Sequence, residues 1–82
     1  MKPIKKMQIG KNGLSQEFIL QVRKIFEHEQ IIKISILKSA RKNKQDAEKI
    51  GEDLVNALGK NYIYKLIGYV LTVRKFRREV RS

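Results

Sequence analysis

A chain of 82 residues, 41% of them hydrophobic, is long enough for one domain with a two-layer core and too short for a deep enclosed pocket. It contains no cysteine, which excludes disulfides and thiolate metal sites, and its apolar runs are too short to span a membrane. Nineteen lysines and arginines against eight acidic residues give a net charge of +11. This charge predicts a polyanionic partner, with nucleic acid ahead of an anionic membrane.

The charges are segregated along the chain. Residues 1–16 and residues 30–45 contain basic residues and no acidic residue, and residues 60–82 contain a single acid, Glu79. The other seven acids fall in two windows, residues 17–29 and residues 46–53. This segregation predicts a protein that is basic on one side, which is typical of nucleic-acid binders.

The first half of the chain predicts a strand, a helix and a second strand. Residues 6–9 form a short strand-like run that ends at Gly10. Ser15 stands at the N-cap position of a helix that we expect to end near His28. Residues 31–37 are β-branched and alternate, which predicts a strand that turns three isoleucines toward the helices: Ile32, Ile34 and Ile36.

A second helix follows a basic loop at residues 38–45. Asn43 is its predicted N-cap, and Gly59 is expected just beyond its C-terminus. Gly51 lies inside the helix, where glycine is unfavourable. We therefore expect close packing of the helix on the sheet at this position.

The last part of the chain predicts a β-hairpin. The strand-like runs 62–67 and 69–73 are separated by Gly68. A basic tail at about residues 75–82 either extends the last strand or becomes ordered only on binding. The predicted fold is a two-layer α/β (α+β) domain over residues 1–82, in the order β-α-β-α-β-β. A mixed four-stranded sheet carries both helices on one face, and the other face is solvated, with Lys33, Lys65 and Thr72 as candidates for it.

The segment Gly10-Lys11-Asn12-Gly13 leads from the first strand into the first helix. The first N–H groups of a helix lack internal partners and attract anions, and glycines allow a sugar-phosphate backbone to approach closely. A GxxG loop is used in this way in KH domains. The alternative is a tight turn that needs a positive φ angle. The loop matches neither a Walker A motif nor a dinucleotide fingerprint.

With this loop, the chain resembles the CRM domain family (chloroplast RNA splicing and ribosome maturation). The resemblance covers about residues 7 to 74. It rests on four segments: Gly10 to Ser15, Glu27 to Glu29, Ile31 to Ile36, and Ile67 to Leu71. It implies a fold like that of the C-terminal domain of bacterial translation initiation factor three, and RNA binding through Gly10 to Gly13. Stand-alone members associate with precursors of the large ribosomal subunit.

Some features depart from the bacterial pattern of this family. Bacterial stand-alone members carry an extra helix before the first strand, for which this chain is too short. Their last strand usually ends in a Tyr-Arg pair, whereas Val73-Arg74-Lys75-Phe76 stands here. The run from Leu37 to Arg41 looks more like archaeal members.

The sequence therefore predicts a cytoplasmic, monomeric RNA-binding protein that acts on ribosomal RNA or large-subunit precursors. The alternatives are a basic DNA-associated protein and an adaptor that binds a protein partner through the solvated sheet face. The candidate RNA-binding residues are Gly10, Lys11, Asn12, Gly13, Lys33, Lys38, Arg41, Lys42, Lys44, Lys65, Arg74, Lys75, Arg77 and Arg78. Candidates for stacking on bases are Tyr62, Tyr64, Tyr69 and Phe76.

We expect no enzymatic activity, because the residues assemble no set of nucleophile, base and orienting group. His28 is the only histidine and lies between Glu27 and Glu29, where a structural or solvent-facing role is expected. Without cysteine or a second histidine, no transition-metal site is predicted. We expect no cofactor, small-molecule substrate or membrane partner.

Overall fold

The computed structural model describes residues 3–76 of the chain. The elements follow the predicted order: β1 (Lys5–Ile9), α1 (Gln16–Ile25), β2 (Ile31–Ile36), a 3-10 turn (Lys38–Ala40), α2 (Lys44–Leu58), β3 (Tyr62–Ile67) and β4 (Val70–Lys75). The predicted fold, a mixed four-stranded sheet with two helices, is confirmed. Neither helix has the length and apolar character needed to cross a membrane within the described range.

The sheet has the strand order β1-β2-β4-β3. β1 is parallel to β2, and β4 is antiparallel to both β2 and β3. Consequently the C-terminal ends of β1 and β2 and the β3–β4 turn lie at the same end of the sheet. Backbone hydrogen bonds join them, from Leu37 to Ile9 at 2.9 Å and from Ile36 to Tyr69 at 2.8 Å. We call this end, with residues 10–13, 37–44 and 68–69, the loop end.

Both helices begin at the predicted N-caps. The Ser15 hydroxyl accepts a hydrogen bond from the Phe18 N–H at 3.1 Å, and the Asn43 side chain accepts one from the Asp46 N–H at 3.0 Å. α1 ends at Ile25, earlier than the predicted end near His28. The reason is that the Ile25 carbonyl accepts the N–H groups of both His28 and Glu29, which closes the helix in a turn.

The core lies between the helices and one face of the sheet. Ile32, Ile34 and Ile36 are at most 2% exposed, as their alternation predicts. The close packing expected at Gly51 is also present. A Cβ atom there would lie 2.6 Å from the Tyr64 ring, so only glycine allows α2 to approach the sheet this closely.

The last strand is longer than predicted. β4 continues to Lys75, which pairs with Tyr62, and the Phe76 N–H donates to the Asn61 carbonyl at 2.7 Å. The predicted tail of residues 75–82 therefore begins inside the sheet, because pairing with β3 extends the strand beyond its alternating segment. Residues 77–82 lie outside the described range.

Candidate nucleic-acid interface

The Gly10–Gly13 loop is a closed turn between β1 and α1. The Gly13 N–H donates to the Gly10 carbonyl at 2.9 Å, and Gly13 has a φ of 63°. A Cβ atom on Gly13 would meet nothing within 4 Å, whereas one on Gly10 would lie 3.5 Å from the Ser39 hydroxyl. Gly13 thus provides the positive φ that the turn needs and leaves open space outside the turn. Gly10 faces the neighbouring loop.

Several backbone donors of this loop and of the first turn of α1 have no partner within residues 3–76. Within residues 3–76, the N–H groups of Lys11 and Asn12 donate no hydrogen bond, and neither do those of Gln16 and Glu17. The loop borders an open depression of about 370 Å³, whose lining includes one carboxylate, that of Glu17. The start of α1 is therefore accessible to an anion and is not surrounded by acids.

A second basic loop lies beside the first. Arg41 bridges it to the β3–β4 turn, because its Nε donates to the Ile36 carbonyl at 3.1 Å and its Cζ lies 3.5 Å from the centroid of the Tyr69 ring. Lys44 Nζ lies 5.7 Å from the same centroid. Two cations thus converge on one aromatic ring, an arrangement that cation–π attraction supports.

The loop end is strongly positive. Four predicted lysines lie there with exposed side chains that form no ion pair within residues 3–76: Lys11, Lys38, Lys42 and Lys44. In the first turn of α2, the Asp46 carboxylate accepts a hydrogen bond from the backbone N–H of Lys42 at 2.8 Å. The predicted basic residues of the two neighbouring loops therefore lie at the same end of the sheet.

Lys33 and Lys65 lie on a different surface, the sheet face that is not covered by helices, which we call the open sheet face. The strand register aligns Lys6 with Lys33, Lys33 with Thr72, and Thr72 with Lys65. All three lysines are exposed. Lys6 was not predicted as a site residue, because the register between β1 and β2 cannot be read from the sequence.

The remaining candidates are farther from the loop. Arg74 is exposed and pairs with Ile31 and Ile63 at the other end of the sheet from the loop. Lys75 is half-buried, and its Nζ donates to the Phe26 carbonyl at 3.2 Å, where it neutralises the C-terminal end of α1. Arg77 and Arg78 lie outside the described residues.

Most of the candidate stacking residues contact other protein groups. Tyr62 packs edge-on against Phe26 with ring centroids 5.1 Å apart, and Tyr69 lies beneath Arg41. The Tyr64 hydroxyl donates to the Glu48 carbonyl at 3.3 Å, and burial, with Glu52 and Glu48 nearby, raises the pKa of Tyr64. Phe76 is 46% exposed, but it lies at the end opposite the loop.

A known solved structure shares this architecture. The chain is similar to the hypothetical protein SAV1595 from Staphylococcus aureus, whose solution structure is described as that of "a putative RNA binding protein". The TM-score is 0.67 at 26% sequence identity, and the match covers 90% of this chain and 73% of that chain. No protein with a curated description matches at a significant level.

The sequence also matches a family of domains. The match to the CRS1 / YhbY (CRM) domain extends over residues 1–73 and includes the Gly10–Gly13 loop, both helices and most of the sheet. This match covers most of the chain and agrees with the fold and with the resemblance seen in the sequence. The chain therefore belongs to the CRS1 / YhbY (CRM) family of RNA-binding domains.

Proposed function

We propose that the protein binds RNA at the loop end, with the Gly10–Gly13 loop as the centre of the site. The observation that carries this proposal is the unpaired backbone of the loop. The N–H groups of Lys11 and Asn12 have no partner within residues 3–76, and they border an open depression at the start of α1. Family membership and the similar structure support RNA as the ligand.

The loop end is suited to a sugar-phosphate backbone. The free N–H groups and the positive end of the α1 dipole attract a phosphate, and the ammonium of Lys11 adds a mobile charge. Gly13 leaves room for the backbone to approach. Arg41 and the lysines of the neighbouring loop extend the positive surface from there. Such contacts provide affinity and little sequence discrimination. Because cations that bind phosphates release counterions, we expect the affinity to decrease steeply with salt.

We further propose that the RNA is ribosomal, as part of a large-subunit precursor in the cytoplasm. The support is the resemblance to stand-alone CRM domains, which associate with large-subunit precursors, together with the net charge of +11, which suits a large folded polyanion. The loop contacts backbone and offers no aromatic platform of its own, which suits recognition of a structured RNA by shape.

Competition binding tests the choice of ligand. A labelled fragment of large-subunit ribosomal RNA is bound by the protein, and unlabelled RNA or duplex DNA is added at equal nucleotide concentration and salt. We expect the RNA to compete far better than the duplex DNA. Equal competition would favour the DNA-associated alternative and contradict the proposal.

Gel filtration of the protein from cell extract, before and after nuclease treatment, tests the adaptor alternative. We expect a large complex that nuclease converts to a monomer. A complex that survives nuclease would instead indicate that proteins are the main partners.

A further inference from the structure

Three open depressions connect the loop end to the open sheet face. The first, of about 370 Å³, borders the Gly10–Gly13 loop and includes Gln8 in its lining. The second, of about 540 Å³, follows β1 and is lined by Gln8, Lys6 and Ser35 among others. The third, of about 410 Å³, lies on the open sheet face and again includes Lys6 and Ser35. Because neighbouring depressions share lining residues, they form one path across β1.

The path ends on a row of cations. Lys6, Lys33 and Lys65 lie on neighbouring register positions of β1, β2 and β3, with Thr72 of β4 between the last two. Adjacent strands are about 4.8 Å apart, so the row spans about 14 Å. None of the four strands contains an acidic residue. Within residues 3–76, the strands therefore place no carboxylate beside the row.

We propose that an RNA strand held at the Gly10–Gly13 loop continues over β1 onto the open sheet face, where Lys6, Lys33 and Lys65 bind its phosphates. This inference rests on the proposed function, and it extends the RNA site from one loop to two surfaces of the domain. It also gives Lys33 and Lys65 a role that is separate from that of the loop, although these lysines and the loop contact the same RNA strand.

The continuity of the path with the Gly10–Gly13 loop favours RNA as its ligand. Lysines line the path together with neutral hydrogen-bonding side chains and with apolar ones: Gln8, Ser35 and Thr72 among the former, Met7, Ile67 and Val70 among the latter. The lysines and the neutral side chains suit phosphate oxygens and ribose hydroxyls. The path begins at the loop proposed to bind RNA, so a single RNA strand can contact both the loop and the open sheet face along it.

Binding of short and long RNA separates the two surfaces. The double variant Lys33→Gln/Lys65→Gln is compared with wild type on single-stranded RNA of about 4 nucleotides, the length that a GxxG loop clamps, and of about 16 nucleotides. We expect unchanged affinity for the short RNA and at least a fivefold loss for the long RNA. The slope of log K against log salt should become shallower by about 0.7 for each lysine removed.

The matched control is Lys24→Gln/Lys60→Gln, which removes the same charge at exposed positions of α1 and of the α2–β3 turn. We expect it to bind both RNAs like wild type. An equal loss in the control would attribute the effect to net charge and overturn the inference, as would unchanged binding of long RNA by Lys33→Gln/Lys65→Gln.

Two further measurements complete the test. Polyglutamate of matched charge should compete poorly for the long RNA, and equal competition would assign the open sheet face to acidic protein segments and overturn the inference. The short RNA should lose affinity in Lys11→Glu. If it does not, the proposed loop site fails, whereas an effect of Lys11 without one of Lys33 and Lys65 overturns only the extended path.

Discussion

The guanidinium of Arg41 is fixed against the ring of Tyr69. Its Cζ lies 3.5 Å from the ring centroid, and its Nε donates to the Ile36 carbonyl at 3.1 Å. Its two terminal nitrogens form no hydrogen bond within residues 3–76. The side chain is thus ordered before any ligand binds, and its free fork of donors matches the geometry of a phosphate. This relationship joins two loops that lie far apart in the sequence.

Arg41→Lys should weaken RNA binding although it keeps the charge. A lysine supplies neither the stacked plane nor the Nε hydrogen bond, so its ammonium must be ordered on binding. We expect a loss of about fivefold, or about 1 kcal/mol, measured by filter binding. The control is Lys42→Arg, a charge-conserving change at an exposed neighbour, which should have no effect. Equal affinity of Arg41→Lys and wild type would show that only charge matters at this position.

Lys11→Glu should weaken RNA binding without unfolding the domain. Lys11 is exposed at the loop, so the change places a negative charge where a phosphate is expected and removes no core contact. We expect a loss of about tenfold, or about 1.4 kcal/mol, with an unchanged circular dichroism spectrum. Lys60→Glu makes the same charge change at the opposite end of the molecule and should have a much smaller effect. A folded Lys11→Glu with full affinity would remove the loop from the RNA site.

Gly13 allows the turn and the binding roles of the loop to be separated. With its φ of 63°, Gly13→Ala should cost about 1 kcal/mol of stability or more, whereas Gly13→Asn should cost less because asparagine tolerates this conformation. A side chain here projects into open space, so both variants should bind RNA more weakly. Urea denaturation and filter binding measure the two effects. Full affinity in a folded Gly13→Asn would support a purely structural turn.

Gly51→Ala should destabilise the core. Alanine favours a helix by about 1 kcal/mol over glycine, but its Cβ would lie 2.6 Å from Cε2 of Tyr64 and 2.9 Å from Cδ2 of Leu71. Overpacking of this kind costs about 1–3 kcal/mol, so we expect a net decrease in the free energy of unfolding in urea. Asn56→Ala, at an exposed position of the same helix, should be neutral or stabilising. A stabilised Gly51→Ala would show that the sheet moves easily.

Tyr64 should make stability decrease at high pH. Its pKa is raised above 10.0 by burial and by Glu52 and Glu48, so the folded state favours the neutral phenol. The contribution is therefore complete below pH 10 and is lost as the pH rises through the folded pKa. Urea denaturation below and above pH 10 measures the effect, and Tyr64→Phe should lose less stability over this range than wild type. An equal loss in the variant would show that Tyr64 does not cause the decrease.

Most of the secondary structure follows from local patterns. The alternating isoleucines of β2, the caps Ser15 and Asn43, and the glycine within α2 each depend on neighbours a few residues away. Such features are set by backbone sterics, the helical period and short-range hydrogen bonds. The position of the GxxG loop between a strand and a helix was predictable for the same reason. The ends of the helices and strands were less predictable, because α1 ends at a turn and the end of β4 depends on pairing with β3.

The sequence by itself determined the elements, their order, the net positive charge and the loop at the start of α1. Only the tertiary structure decided that β4 lies between β2 and β3, that Arg41 stacks on Tyr69, and that the lysines of three strands form one row. The physical reason is that pairings between distant segments depend on how both helices pack on the sheet. That packing sets the register, and the register decides which charges become neighbours.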